Sequence, residues 1–241
     1  MRIKELVLET TSDEQNLHSI SNSLASVINR LKKTDPKMFT PNKQSEKGLG
    51  LGPIKDIIKT NPEYYPEHIQ PLLNLHIVVK NLPGRPVKGQ YDRANKIITL
   101  TLHLINNTQK FDISSTISHE LRHALDDTLS QGKALFGKKA EKPYEQRPKE
   151  INARLSQAMK MIGDLLKDQL KGLDEFEQIS IDDIKFVIDK AFTANRIQQA
   201  FGNYKDNKNY RHAFNRALMY AKHTLDTNKK PGQMVYETII L

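Results

Sequence analysis

The chain contains no cysteine. A disulfide scaffold and thiolate metal sites are excluded together, so any bound metal must rely on histidine and carboxylate. No run of about 18 apolar residues occurs, which removes a membrane-spanning helix. The N-terminus has an early charge pair but no apolar stretch leading to a small-residue cleavage site, so Sec export is not expected and a cytoplasmic or virion location is. Nucleotide-binding signals are also missing. Gly48-Leu49-Gly50-Leu51-Gly52-Pro53 follows no predicted strand and lacks the G-K-[ST] of a phosphate loop, so it reads as a mobile connector. The net charge of +9 is spread over Lys32-Lys33, Lys138-Lys139, Lys229-Lys230 and many single sites. That balance permits an acidic partner such as nucleic acid, but no stripe of arginines with interleaved aromatics marks a groove for one.

What the chain does have is His119-Glu120-Leu121-Arg122-His123, an H-E-x-x-H pattern inside a run with helical periodicity. Histidines four apart on a helix lie one turn above each other on one face, close enough for both imidazoles to bind one tetrahedral zinc ion. Glu120, between them, is then the natural general base. Ile113, Ile117, Leu121, Ala124, Leu125 and Leu129 form the core stripe, with Asp112 at the expected N-cap. The two histidines lie away from the centre of that stripe. The competing reading is a surface helix with two solvated histidines.

Ahead of this helix, Met1 to Glu9 is read as a short strand or extended arm. Ser12 with Gln15 resembles a capping box opening a helix to about Lys33, with Leu17, Ile20, Leu24, Val27, Ile28 and Leu31 buried. A short helix around Ile54 to Lys59 and a proline-punctuated segment come next. Leu75 to Lys80 is a strand, Gly89 to Asn95 a strand edge and tight turn, and Lys96 to Leu104 a second strand carrying His103, whose expected role is packing. Beyond the motif, Pro148 opens a long helix with Glu150 in its first turn and the stripe Ile151, Leu155, Ala158, Ile162, Leu165 and Leu166. Ser180 to Asp183 opens another helix, and a last one runs from about Asn207 to Thr227.

A strand, turn and strand leading into an H-E-x-x-H helix resembles the zincin fold of thermolysin-like metallopeptidases. The resemblance covers roughly residues 72 to 170. It implies an α+β fold in which a small twisted sheet precedes the active-site helix, with Lys96 to Leu104 as the edge strand that binds extended substrate. Two histidines leave zinc short of a protein ligand. No H-E-x-x-H-x-x-G-x-x-H continuation supplies it in the metzincin manner, whereas Glu150 stands where the gluzincin subgroup carries the glutamate of a His-His-Glu site. The resemblance thus makes Glu150 the third ligand, with Glu145 and Glu141 as alternatives. Without a metal, Glu150 is an acidic residue at a helix N-terminus with Arg154 as its i+4 partner. Thermolysin-like enzymes have an aspartate at the Arg154 position to orient a ligand histidine; here Asp126 or Asp127 is expected to take that part. Tyr144, Arg147 and His212 are the candidate oxyanion donors, and Tyr210 is assigned to the core.

These features lead to an expected zinc metallopeptidase in three parts. Residues 1–60 are an N-terminal helix and connector, 61–170 the zincin-like core, and 171–241 a helical subdomain packed on that core. The alternative is a zincin-like structural or binding protein. A weaker resemblance, in the Met1-Arg2-Ile3-Lys4 opening and the Lys/Asn-rich composition, to small metallopeptidase-like proteins of tailed phages would place it in a virion. The apolar end, Val235-Tyr236 and Ile239-Ile240-Leu241, would suit an assembly partner.

Overall fold

A computed structural model of the chain describes residues 3–82, 88–107, 110–129, 148–172, 179–201 and 207–228. Among these the fold is mixed α+β, mostly helical, with a four-stranded sheet. The chain divides into two compact units, Gln15–Glu141 and Met1–Glu14 with Lys142–Leu241, each with a hydrophobic core of its own. No described helix is long and apolar enough to cross a membrane.

The sheet unit holds most of helix α1 (Ile3–Thr34), which begins well before the Ser12 and Gln15 pair expected to open it. Lys4, Glu5, Leu6, Leu8 and Glu9 are mostly good helix formers, and the uneven spacing of Ile3, Leu6 and Leu8 never had a strand's period of two. Leu17, Ile20, Leu24 and Ile28 are fully buried along the expected stripe. Helix α2 (Lys43–Lys47) leads into β1 (Leu49–Pro53), so the glycine-rich run is a strand and not a connector. Its glycines serve the irregular pairing with β2 (His76–Lys80): the register shifts between Gly50 and Gly52, and Gly52 has φ 104°, where a side chain would be strained. That reason is long-range, because it depends on a partner strand.

After α3 (Ile54–Ile58) and β2 come β3 (Gly89–Asp92) and β4 (Ile97–Thr101), in spatial order β1-β2-β4-β3. β4 runs parallel to β2 and antiparallel to β3. The expected edge strand is therefore internal, and among the described strands the edges are β1 and β3. β4 is also shorter than expected. The Thr101 hydroxyl accepts the Leu104 N–H at 3.2 Å and opens α4 (Leu102–Asn107), leaving His103 exposed beside Asn107 instead of packed on a strand. Ile77, Val79, Ile98 and Leu100 alternate into one core with α1 and α5 (Lys110–Leu129). α5 starts two residues before Asp112, which sits in its first turn and not at the N-cap, and Leu129 at its end is exposed.

The second unit is built from α6 (Pro148–Gly172), α7 (Ile181–Ala194), the short α8 (Ile197–Ala200) and α9 (Lys208–Asn228), with α7 and α9 packed on α6. Leu155, Ala158, Ile162 and Leu166 are buried as the sequence pattern expects, and Tyr210 is core, edge-on to Phe192 with ring centroids 5.8 Å apart. Glu14 is buried here, accepting from the Ser156 hydroxyl and from Arg216 at 3.0 Å. Two helix starts follow from side-chain caps. Asn207 Oδ1 accepts the Asn209 N–H at 2.9 Å, and Ser180 with Asp183 forms a full capping box.

Hydrogen bonds from the Ser180 side chain and backbone hold the Asp183 carboxyl below the usual aspartate range. A lowered folded value means that this contribution is full above the unfolded pKa and is lost as pH falls through the folded one. Ser180→Ala is expected to destabilise by about 1 kcal/mol at neutral pH. The difference from the parent in urea unfolding should narrow as Asp183 is protonated.

Candidate metal centre

α5 is buried on more than its apolar stripe. Thr116, Ser118, Glu120, Arg122, Asp126 and Asp127 are all less than one-tenth exposed, and His119 and His123 are half-buried. A solvated surface helix is ruled out by this. Charged groups persist at such positions only where partners offset their desolvation, and Arg122, Asp126 and Asp127 each have an ion-pair partner. Arg122 Nε lies 3.0 Å from Asp126 one turn on, and Arg93 Nε lies 2.9 Å from Asp127.

The two imidazoles meet through their Nε2 atoms, 3.1 Å apart, with the rings nearly perpendicular at 85° and centroids 4.7 Å apart. The helix accounts for this, since i and i+4 side chains stack along one face. With one ring protonated at Nε2, the contact is a hydrogen bond. With both Nε2 atoms unprotonated, the lone pairs converge, and two nitrogens about 2.0–2.1 Å from one tetrahedral ion would lie roughly 3.3 Å apart. The observed spacing is thus close to what a shared ion requires.

Glu120 lies against the start of β3. A Cβ built at Gly89 would come within 3.3 Å of Glu120 Cγ and Oε1, and within 2.7 Å of Thr116 Cγ2, so the strand can approach the helix this closely only with glycine there. The other end of the β3–β4 hairpin is held by Asp127, which forms an ion pair with Arg93 and accepts hydrogen bonds from Lys96 and from the Tyr91 hydroxyl, each at 3.5 Å. Burial pushes the Tyr91 hydroxyl up, the Lys96 hydrogen bond and charge oppose it, and Asp127 adds to the rise. Asp126 and Asp127, expected to orient the histidines, are therefore engaged by Arg122 and by the hairpin. Gly89 was missed as a site residue, although a glycine opening a strand is a recognised sign of close backbone approach.

Glu150 belongs to the helical unit. It is 5% exposed in the first turn of α6, and its Oε1 accepts from Arg154 Nε at 2.8 Å, the i+4 pair read from the sequence. His212 is exposed on α9. Tyr144, Arg147, Glu141, Glu145 and the C-terminal residues 229–241 lie outside the described residues. No family model matches the chain, and no curated protein or solved structure matches it either.

Gly89→Ala is expected to overpack this contact and destabilise by about 1–3 kcal/mol. Adding Thr116→Ser removes the methyl that the new Cβ meets first, so urea unfolding of the double variant should recover part of the loss. Equal stability of Gly89→Ala and the parent would mean that β3 does not need this close approach.

Proposed function

We propose that the chain is a zinc-dependent metallopeptidase of zincin type, with His119, His123 and Glu150 as metal ligands and Glu120 as general base. The observation that carries this reading is the convergence of the two Nε2 atoms, 3.1 Å apart, on a helix whose intervening glutamate is buried. Glu150, the third ligand that the zincin resemblance implies, is itself buried in the first turn of α6. Two imidazoles and a carboxylate, in a chain with no thiolate, suit zinc. In chain order, strands β3 and β4 and the short α4 precede the H-E-x-x-H helix, and the next described helix carries a first-turn glutamate.

Zinc bound there would supply Lewis acidity toward a peptide carbonyl and toward water. The chain's own residues do the rest. Glu120, ionised, takes a proton from the attacking water and returns it to the leaving amine. Gly89 lies against its side chain, which limits where the carboxylate can swing. β3, being an edge among the described strands, offers its outer backbone groups to an extended peptide, in place of the β4 segment expected from the sequence.

Elemental mass spectrometry should find about one zinc per chain in the parent and in Glu120→Gln, and much less in His123→Ala and Glu150→Ala. In a peptide-cleavage screen, Glu120→Gln should lower hydrolysis by roughly 10²- to 10⁴-fold. Full activity in that variant sinks the mechanism, and a parent without zinc after reconstitution sinks the metal site. Zinc without cleavage of any peptide would favour a zincin-like binding protein.

A further inference from the structure

From the geometry of α6 we infer that Arg154 is a positioning residue for the proposed metal ligand Glu150. The inference rests on the metal reading above and goes beyond it by giving a task to a residue that would otherwise be a salt-bridge partner. Glu150 has three side-chain torsions and sits in a first turn, where backbone N–H groups compete for its carboxylate. One turn further along, Arg154 Nε donates to Oε1 at 2.8 Å, and the two side chains are only 13% and 6% exposed. A buried, charge-assisted hydrogen bond of this length restricts the direction in which the carboxylate points. An exposed i,i+4 pair would not, because solvent and side-chain entropy leave it worth little.

A guanidinium beside a ligand carboxylate acts in two opposing ways. It withdraws negative charge from the oxygen, which weakens attraction for a cation, and it holds the ligand in place, which strengthens binding. Partners that orient ligating groups typically contribute 10- to 100-fold in metal affinity. Orientation is therefore expected to outweigh the charge effect, and the two give opposite signs on removal of Arg154.

The test is zinc affinity of the full chain, measured by competition with a chromophoric chelator. The set is the parent, Arg154→Met, Arg154→Gln, Glu150→Gln and the double variant Arg154→Met/Glu150→Gln, with circular dichroism of each metal-free protein to verify folding. Arg154→Met should weaken zinc binding by roughly 10- to 100-fold, and the double variant should bind no more weakly than Glu150→Gln alone. If Arg154→Met fails to fold, Arg154→Gln decides by the same criterion. Affinity equal to or tighter than the parent's overturns the inference and leaves Arg154 as a neutralising partner. Losses that add in the double variant also overturn it, because Arg154 would then act independently of Glu150. A parent that takes up no zinc overturns it together with the metal reading, which no other outcome touches.

Discussion

The sheet unit depends on the seating of β3 against α5. A strand backbone and a helix can come this close only where one of them lacks a side chain, and Gly89 provides that gap beside Thr116 and Glu120. At the other end of the hairpin, Asp127 draws in Arg93 and Lys96, so the strand is pinned at both ends to the helix that carries the H-E-x-x-H motif. Buried charge is costly by itself. It is tolerated here because the same contacts that desolvate Asp127 also deliver its cations.

Most of the other polar pairs follow a simpler rule. His119 with His123, Arg122 with Asp126, Glu150 with Arg154, and Lys160 with Asp164 are all four residues apart on a helix. Each helix therefore sets the spacing of its own side chains and supplies much of its own charge compensation, without waiting for tertiary contacts. Among the described residues, Asp127 with the hairpin and Glu14 with Ser156 and Arg216 are instead long-range. Those contacts build the units, while the local pairs equip the helices. Preorganisation of a site asks for both, since a ligand aimed correctly on a loose helix is still misplaced.

This division decides what could be read from residues alone. The α5 stripe, the start of α6 at Pro148, the helix opening at Ser180 to Asp183 and the Glu150–Arg154 pair were legible, because helix period, helix starts and i,i+4 neighbours are properties of a few consecutive residues. The strands were harder. Leu49 to Pro53 looked like a connector because glycines and a proline give no strand signal, and it is a strand only because β2 pairs with it. Leu102 to Leu104 looked like more of β4, since apolar residues suit either structure, until the Thr101 hydroxyl turned the chain into a helix.

By itself the sequence determined the chemistry on offer: two imidazoles one helical turn apart, a glutamate between them, a second glutamate tied to an arginine, and no thiolate anywhere. These are consequences of residue type and of a 3.6-residue repeat, which operate at short range. Only the tertiary structure decided that β3 and not β4 lies at the edge, that Gly89 admits the strand to Glu120, and that Asp127 serves the hairpin. Strand order is chosen by which segments bury their faces together and satisfy each other's backbone groups, and that choice belongs to the folded chain as a whole.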